Sequence, residues 1–302
     1  MTVDGHARTS ARADGACTNA SPAKPAWIRV KAGHGAAYQE TLRRLRDLKL
    51  NTVCEAALCP NQGHCWSHGH ATILILGDAC TRGCRFCYVD KRPVAPPDPD
   101  EPAHVAAAVR AGGLKAIVLT SVTRDDLPDG GAAIWAETIQ RVHADAPGVE
   151  VEVLVPDFSG NRDAWQRVCE SRPEVFGHNL ETVPRLYDKV RPQADYRLSL
   201  DVLRFAAESG LVTKTSLMLG MGETRDEIEA VMRDARQAGV TIFYAGQYLQ
   251  PTRAHLPVAR YLTPAEFDEI GTLARTMGFA RVACAPLVRS SYLLADSGAR
   301  QE

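Results

Sequence analysis

The sequence predicts an α/β fold, a partial (β/α)6 TIM-like barrel with N- and C-terminal extensions. One observation behind this prediction is that short apolar runs alternate with helical patterns along most of the chain. Another is that polar and glycine-rich residues recur just past the carboxyl ends of those runs, where the active-site residues of barrel enzymes lie. Because six such units are evident, we expect an incomplete barrel, with a doubly wound open sheet as the structural alternative.

The six predicted strands follow one another between residues 71 and 250, and a helical pattern lies between each pair. A repeated βα unit implies a parallel sheet with helices outside it. An amphipathic helix from Tyr38 to Leu50 precedes the barrel, and a helix at 264–277 with a short strand at 279–284 completes it. The strands are 71–77, 115–121, 149–156, 173–181, 213–220 and 241–250, and the helices between them are 101–111, 131–144, 161–170, 197–208 and 224–238.

Composition narrows the function classes. The 302 residues are 45% hydrophobic and 24% charged, and no apolar run is long enough to cross a bilayer. Lysine plus arginine (35) nearly balances aspartate plus glutamate (36), so we expect no nucleic-acid partner. Residues 1–24 lack the apolar core of a secretory signal and are predicted to be a disordered tail. A transit peptide is the alternative, weakened by Asp4 and Asp14, and we expect the reducing cytoplasm, where disulfides are improbable.

Two cysteine triplets form the strongest chemical signal, because they place six of the nine cysteines within 34 residues. Thiolates packed this densely repel one another and oxidise unless a soft metal binds them, which indicates iron–sulfur chemistry or zinc. Each triplet is one ligand short, so one metal position is left for a substrate or for a ligand from elsewhere. The triplets are Cys54, Cys59 and Cys65, spaced CxxxxCxxxxxC, and Cys80, Cys84 and Cys87, spaced CxxxCxxC.

The second triplet follows the first barrel strand directly, so one loop can wrap a single [4Fe–4S] cluster, with Gly83 permitting tight curvature. Three thiolates keep one iron for an exogenous ligand, for which S-adenosylmethionine is the obvious candidate. Zinc is the alternative, kept open by His64, His68 and His70, although zinc usually takes paired CxxC units. The CxxxCxxC spacing resembles the radical S-adenosylmethionine superfamily. That resemblance implies reductive cleavage of the cofactor to a 5′-deoxyadenosyl radical.

Residues at later strand ends are candidates to hold this cofactor. Asn179 and Glu181 share one face of the fourth strand because side chains alternate along a strand, so both can reach a ribose or an amino group. The segment SLMLGMGE resembles the superfamily's adenine-side motif, with its first glycine replaced by Ser216. Turn chemistry explains each residue singly, but their coincidence on one rim favours a cofactor site. The candidates are Asn179, Glu181, Gly220, Gly222, Glu223 and Tyr248.

A narrower resemblance rests on several long blocks in one order, from about Lys24 to Tyr292. The chain resembles the lipoyl synthase family in CEAALCPNQGHCW (54–66), ILGDACTRGCRFC (75–87), TSVTRDDLPDGG (120–131), VFGHNLETVPRLY (175–187), LMLGMGET (217–224), GQYLQPT (246–252) and PLVRSSY (286–292). The resemblance implies a sulfurtransferase that inserts two sulfur atoms at C6 and C8 of an octanoyl chain on a carrier lysine. Those C–H bonds have no neighbouring group to acidify them, so a radical is required.

The resemblance also implies a second, auxiliary [4Fe–4S] cluster on the first triplet, consumed as the sulfur donor. The implied substrates are octanoylated carrier proteins: the E2 lipoyl domains of 2-oxoacid dehydrogenases or the H protein of glycine cleavage. A reductant such as ferredoxin or flavodoxin and a cluster-repair carrier are the further implied partners. Two other functions stay open. In another radical enzyme the auxiliary cluster would conduct electrons, and a non-enzymatic scaffold would use iron–sulfur or zinc to bind a partner.

The family supplies the fourth auxiliary ligand from its RSSY motif, here residues 289–292, and we choose Ser291, the second serine. A hydroxyl is a hard, poor partner for iron, so it should leave readily when the cluster is attacked. A turn-capping serine is the alternative. Cys284 is a possible soft substitute that we expect in the core. The chain departs from the family at Cys284-Ala285 and Leu293-Leu294, and the predicted catalytic residues are Cys80, Cys84, Cys87 and Ser291.

Four segments are expected: a tail (1–24), an N-terminal extension with the auxiliary ligands (25–70), the radical barrel (71–262) and a C-terminal extension (263–302).

Several other residues are weaker candidates for a functional role. Asp125 and Asp126 are typical of a turn. We expect His178 to be a satisfied strand histidine. Basic residues near the cluster loop are candidates to steer an acidic carrier or a cofactor carboxylate, with a solvated charged face as the alternative; they are Lys91, Arg92, Arg191 and Arg253.

Overall fold

A computed structural model describes residues 21–29, 33, 35–112 and 114–291 of the chain. Its centre is one eight-stranded sheet whose strands are ordered consecutively, with β2 to β8 parallel and β1 antiparallel to β2. This consecutive order is that of a partial barrel and not of a doubly wound sheet, so the predicted fold class is confirmed. The strands are β1 Asn51–Thr52, β2 Thr72–Ile75, β3 Ala116–Ser121, β4 Glu150–Leu154, β5 Val175–Gly177, β6 Val212–Leu219, β7 Ile242–Gln247 and β8 Arg281–Cys284.

Helices connect the parallel strands, as the βα pattern predicts. The larger ones are α1 Ala36–Asp47, α4 Glu101–Gly112, α5 Ala132–Asp145, α6 Arg162–Glu170, α8 Tyr196–Glu208, α9 Arg225–Gln237 and α10 Pro264–Thr276. Three are short, α2 Val53–Ala56, α3 Gln62–Ser67 and α7 Tyr187–Val190. α9 and α10 each begin with a capping box, in which a threonine and the glutamate three residues later bind each other's backbone N–H.

Two parts of the fold differ from the sequence prediction. β1, α2 and α3 were not predicted, because a two-residue strand and helices of less than two turns are too short to display a hydrophobic period. The predicted strand 173–181 ends early, at Gly177. Beyond it, the Leu180 N–H bonds to the Thr215 hydroxyl instead of a neighbouring backbone, and Glu181 adopts a left-handed φ of 66°. The strand therefore breaks where the predicted cofactor residues lie.

The core lies between the sheet and its surrounding helices. Large side chains such as Trp66, Trp135, Phe243 and Phe267 are fully buried. Each such side chain contributes roughly 1.5–3 kcal/mol to folding. Among the described residues, no helix has both the length and the apolar character needed to cross a membrane.

The C-terminal segment 285–291 crosses the carboxyl end of the barrel after β8. The Gln247 N–H donates to the Pro286 carbonyl (3.0 Å), and the Asn61 amide donates to the Leu287 carbonyl (2.6 Å). At Gly246 the two backbones approach so closely that a Cβ would lie 1.9 Å from the Val288 carbonyl oxygen. The segment is thus held between the end of β7 and the first cysteine triplet.

The N-terminal segment also contacts the barrel. Ser21 donates to the Gln250 side chain (2.6 Å) and accepts from the Val258 N–H (2.8 Å), and the Trp27 indole donates to the Leu262 carbonyl (3.2 Å). Residues 1–20 lie outside the described residues. The tail boundary at residue 24 stays a prediction, and Ser21, inside that predicted tail, is bound to the barrel.

Gly246→Ala should displace the C-terminal segment, because the new methyl group has no room beside the Val288 carbonyl. Overpacking of this kind costs about 1–3 kcal/mol. We expect the free energy of unfolding, measured by urea denaturation under anaerobic conditions, to fall by that amount.

Gly83→Ala is the matched control at the same end of the barrel. Its φ lies outside the left-handed region, so the predicted need for glycine curvature at this position is not observed. A Cβ there would contact only the Gln193 side-chain oxygen, at an ordinary 3.6 Å. Equal losses of stability in the two variants would contradict the proposed close approach at Gly246.

Candidate active site

The CxxxCxxC triplet lies in the loop that follows β2. The loop is pinned on both sides, because the Arg85 N–H donates to the Val190 carbonyl at the end of α7 and the Arg85 carbonyl accepts from the Leu256 N–H. The Cys80 sulfur accepts backbone N–H groups from Arg82 (3.4 Å) and Thr123 (3.3 Å). Cys80, Cys84 and Cys87 are half-buried at the carboxyl end of the barrel. The backbone therefore fixes this loop independently of any bound group.

Burial disfavours the thiolate forms of Cys84 and Cys87. It raises the pKa of Cys84, and it raises the pKa of Cys87 to about 12, with the neighbouring thiols adding to both shifts. Metal binding requires deprotonated sulfur, so these protons leave only when a cation replaces them. The three thiols are thus soft donors whose charge a cluster would compensate.

Arg82 clamps the loop that carries this triplet. Its guanidinium donates twice to Asp157 (2.6 and 2.7 Å) and twice to Asp125 (2.7 and 2.9 Å), and the Arg82 side chain is only 7% exposed. These contacts join the loops that follow β2, β3 and β4. Burial pushes the pKa of Asp157 upward, but the hydrogen bonds and charge of Arg82 outweigh it and hold the pKa below its usual value. Asp125, which the sequence predicts only as a turn residue, also accepts two of the Arg82 hydrogen bonds.

Asn179 and Glu181 come together beside the cluster loop. The Asn179 amide donates to the Glu181 carboxylate (3.1 Å) and to the Ser290 hydroxyl (3.0 Å). Arg191 donates to the Asn179 carbonyl (2.9 Å), and its charge acts on both Glu181 and Cys84. Burial raises the pKa of Glu181, and Arg191 opposes that shift. The predicted pair thus lies in one polar cluster with the second triplet.

Within the described part of the chain, three buried polar atoms of this cluster have no hydrogen-bond partner: Asn179 Oδ1, His178 Nε2 and Arg191 Nε. His178 donates from Nδ1 to the Val155 carbonyl, and burial lowers its pKa to about 4, so its Nε2 is a neutral acceptor. The histidine is therefore only half satisfied, contrary to the sequence expectation. An unpaired buried polar atom costs about 1–3 kcal/mol, which a polar ligand recovers. These atoms fit the amino, carboxylate and hydroxyl groups of S-adenosylmethionine.

The remaining predicted cofactor residues shape the turn after β6. The Glu223 carboxylate accepts the N–H groups of Gly220 and Met221, so it builds the turn itself. A Cβ at Gly220 would lie 2.4 Å from the Arg260 carbonyl, and Gly222 has a φ of 114°. Tyr248 is buried and donates its hydroxyl to the Leu256 carbonyl (2.6 Å). Cofactor contact by these four residues stays a prediction.

The first triplet lines a separate cavity beside the barrel edge. Cys54, Cys59 and Cys65 share this cavity with Ser291 and Arg289. Burial raises the pKa of Cys54 to about 11, and the nearby Cys59 thiol adds to the shift. Thr52 caps α2 through the Glu55 N–H, which fixes the start of the segment that carries Cys54. The donor set of three thiols and one hydroxyl fits an iron–sulfur cluster.

The arrangement of the thiols bears on the zinc alternative. Within the described ranges, no three His, Cys, Asp or Glu side chains are grouped closely enough to surround a single metal ion. Zinc requires four ligands around one point, whereas the thiolates of a cubane bind different irons and need not converge.

The two serines of the RSSY motif face different sites. Ser290 accepts the Asn179 amide hydrogen bond on the side of the second triplet, whereas Ser291 lines the cavity of the first. Cys284, the possible substitute ligand, packs against Gly271 of α10 and is not among the residues lining that cavity. Burial raises the pKa of Cys284 to about 12. Cys17, Tyr292, Leu293 and Leu294 lie outside the described residues.

The basic residues near the loop are mostly engaged within the protein. Arg92 forms ion pairs with Asp78 and Asp90, and Lys91 donates to the Cys87 carbonyl (3.4 Å). Arg191 lies in the polar cluster described above. Arg253 is exposed. This surface is therefore not a strip of unpaired positive charge.

A larger cavity of about 130 Å³ lies outside the barrel mouth, beside Glu101 and Arg124. The Glu101 carboxylate accepts the Leu76 N–H (2.7 Å), and Arg124 donates to the Leu76 carbonyl (3.0 Å). Its polar side chains thus support the end of β2. None of the predicted site residues lines it.

The chain is similar to known proteins over most of its length. Residues 74–235 match the model of the Radical SAM superfamily. A lipoyl synthase of Chlorobium chlorochromatii (strain CaD3) is 51% identical over 271 residues, which cover 89% of this chain and 92% of that protein. The chain belongs to the lipoyl synthase family. Lipoyl synthases of Methylococcus capsulatus (52%, covering 89% of this chain and 84% of that one) and Medicago truncatula (a mitochondrial form, 50%, covering 89% and 74%) are similarly close.

Solved structures similar to this family member share its fold. HydG, a maturase of the [FeFe]-hydrogenase, superposes with a TM-score of 0.56 at 14% identity, covering 82% of this chain and 63% of that one. SuiB of Streptococcus suis bound to S-adenosylmethionine gives 0.55 at 10% identity, covering 84% and 56%. At these identities the likeness concerns the fold alone.

Sequence reasoning missed the contacts that hold the two sites together. Arg82 was visible only as positive charge between the cysteines, and Asn61 only as one letter within a motif. The Asn179–Ser290 bond joins residues 111 positions apart, which spacing along the chain cannot reveal. The one available signal was that each of these residues lies inside a block of the family resemblance.

Arg82→Gln should destabilise the protein strongly, because it leaves the buried Asp157 carboxylate without its cation. Breaking a buried pair in this way costs about 3–5 kcal/mol. We expect that loss in the free energy of unfolding at pH 7, together with weaker retention of iron by the second triplet.

Arg185→Gln is the control, since Arg185 forms a similar two-point contact with Glu227 on the exposed surface. Exposed pairs contribute about 0–1 kcal/mol.

The clamp should also make stability depend on pH. Because the pKa of Asp157 is lowered on folding, the contribution of Asp157 to the free energy of unfolding is present above the ordinary aspartate pKa of about 3.9. That contribution is lost as the pH falls through the pKa of Asp157 in the folded protein. A gap between wild type and Arg82→Gln that stays constant down to acid pH would contradict the clamp.

Proposed function

We infer that this chain is a sulfurtransferase of the radical SAM superfamily that inserts two sulfur atoms at C6 and C8 of a protein-bound octanoyl-lysine group. One observation supports this conclusion above the others: Ser291 lines the cavity of the first triplet, while its neighbour Ser290 bonds to Asn179 in the polar cluster beside the second. A single radical site would not need the second set of thiols. The family membership supplies the substrate class, a lipoyl-carrier protein.

The residues divide into two sets of cluster ligands. Cys80, Cys84 and Cys87 would hold the radical [4Fe–4S] cluster and leave one iron for S-adenosylmethionine. The auxiliary [4Fe–4S] cluster would bind Cys54, Cys59, Cys65 and Ser291. When bound, the first cluster with S-adenosylmethionine supplies hydrogen-atom abstraction, and the second supplies sulfur.

Ser291 is the ligand chosen to be weak. Three thiolates are matched to iron, whereas a hydroxyl is a harder and poorer donor that dissociates more easily. Its place in the cavity lining with Cys54, Cys59 and Cys65 supports this role. Ser290 is a poorer candidate, because its hydroxyl is already bonded to Asn179.

S-adenosylmethionine would be held by the polar cluster beside the second triplet. Asn179 and Glu181 offer acceptors for its amino and ribose groups, and Arg191 offers a cation near its carboxylate. Gly220 and Gly222 keep side chains away from the adenine side, while Glu223 and Tyr248 hold the surrounding backbone. The charge of Arg191 acts to lower the pKa of both Cys84 and Glu181, which supports one shared site.

The partners follow from the reaction. Octanoylated E2 lipoyl domains or glycine cleavage H protein are the proposed substrates. Ferredoxin or flavodoxin would supply electrons, and a repair carrier would rebuild the auxiliary cluster. Because exposed thiolates and clusters need a reducing compartment, we propose a cytoplasmic location.

Incubation of an octanoyl-lysine peptide with reconstituted protein, S-adenosylmethionine and reductant should yield a product with two added sulfur atoms. Anaerobic mass spectrometry detects the sulfurs, and chromatography detects 5′-deoxyadenosine. Deoxyadenosine without sulfur in the peptide would contradict the sulfur-insertion assignment and favour an auxiliary cluster that only conducts electrons. Absence of both products would favour a non-enzymatic scaffold.

Ser291→Cys should keep the iron–sulfur spectrum but slow sulfur insertion, because a thiolate leaves iron less readily than a hydroxyl. Single-turnover kinetics followed by mass spectrometry measures the change, which we expect to be tenfold or more, about 1.4 kcal/mol in the barrier. Cys284→Ala is the control and should turn over at the wild-type rate. Unchanged turnover of Ser291→Cys would count against Ser291 as the labile ligand.

A further inference from the structure

Ser290 links the proposed cofactor site to the auxiliary cavity, because its side chain bonds to Asn179 and its backbone continues into Ser291. Its hydroxyl lies 3.0 Å from the Asn179 amide nitrogen, and the next residue, Ser291, lines the auxiliary cavity. The Asn61 bond to Leu287 and the close contact between Gly246 and Val288 hold the same segment a few residues earlier. The backbone at 290–291 is therefore fixed at one end by β7 and at the other by Asn179.

The orientation of the Asn179 amide is determined by its neighbours. Its NH₂ group faces Glu181 and donates to the carboxylate oxygen at 3.1 Å. The same nitrogen has a second hydrogen, which the Ser290 hydroxyl accepts. This leaves Asn179 Oδ1 as a buried acceptor with no partner among the described residues.

No donor among the described residues forms a hydrogen bond with the Asn179 Oδ1 atom. Asn179 is 8% exposed, so bulk water does not satisfy it. On the proposed function, the ammonium or a hydroxyl of S-adenosylmethionine would donate there. A hydrogen bond accepted by Oδ1 polarises the amide and strengthens the bonds that its NH₂ group donates.

We propose that Ser290 is a positioning residue that couples cofactor binding at Asn179 to ligation of the auxiliary cluster by Ser291. Cofactor bound to Asn179 Oδ1 tightens the Asn179–Ser290 bond and holds the Ser291 hydroxyl at the cavity. Conversely, ligation by Ser291 fixes Ser290 and presents Asn179 in the orientation that receives the cofactor. Because such coupling is reciprocal, it is measurable from the cofactor side alone.

The test is a double-variant cycle on the holoenzyme, read as the dissociation constant for S-adenosylmethionine by anaerobic calorimetry without reductant. We expect Ser290→Ala and Ser291→Ala each to weaken binding about fivefold, the low end for coupled sites. The double variant should also be about fivefold weaker, because either change alone breaks the same connection. A multiplicative loss of about 25-fold, or unchanged affinity in Ser290→Ala, would overturn the proposal.

Two further variants separate coupling from a general loss of structure. Ser290→Thr keeps the hydroxyl and should restore affinity, and Ser171→Ala, a buried serine at the end of α6, should change nothing. Loss of auxiliary iron from Ser290→Ala but not from Ser290→Thr would also support positioning by the hydroxyl. If the wild-type enzyme binds enough iron for only one cluster, the proposed function is contradicted. The effect of Ser290→Ala on the affinity for S-adenosylmethionine tests the Asn179–Ser290 contact independently of that result.

Discussion

The passage of segment 285–291 over the barrel mouth is the constraint on which the candidate site depends. It is possible only because Gly246 lacks a Cβ, which would otherwise lie 1.9 Å from the Val288 carbonyl. The Asn61 amide and the Gln247 N–H then bind consecutive carbonyls of the segment. Without this crossing, residues 289–291 of the RSSY motif would have no fixed position relative to either cysteine triplet.

A second constraint acts on the loop of the radical cluster. Arg82 is nearly buried between two carboxylates, so its charge is neutralised and its geometry is fixed at four points. The loop is thereby tied to the ends of β3 and β4 before any cluster binds. Pre-organisation of this kind reduces the ordering that binding would otherwise require.

Much of the fold followed from sequence periodicity. The six barrel strands and the large helices were predicted within a few residues, because the strands are short apolar runs and the helices between them display an apolar period. β1, α2 and α3 were missed, since their positions are set by the cysteine segment and its contacts and not by hydrophobic spacing. The early end of β5 was missed because a side chain, Thr215, replaces a backbone partner there.

The candidate site was predictable where chemistry is local along the chain. Two cysteine triplets and the choice of Ser291 over Ser290 came from spacing and family resemblance, and the cavity lining is consistent with that choice. The unpaired atoms around His178, Asn179 and Arg191 were not predictable, because they arise from long-range packing. We propose that the cluster bound by the first triplet and Ser291 contains the sulfide that is transferred to the substrate.

The most direct test is a single turnover with enzyme whose auxiliary cluster carries ³⁴S-labelled sulfide. Both sulfurs in the lipoyl product should be ³⁴S, and the sulfide content of the auxiliary site should fall. An unlabelled product, or a cluster whose sulfide survives turnover intact, would contradict the account.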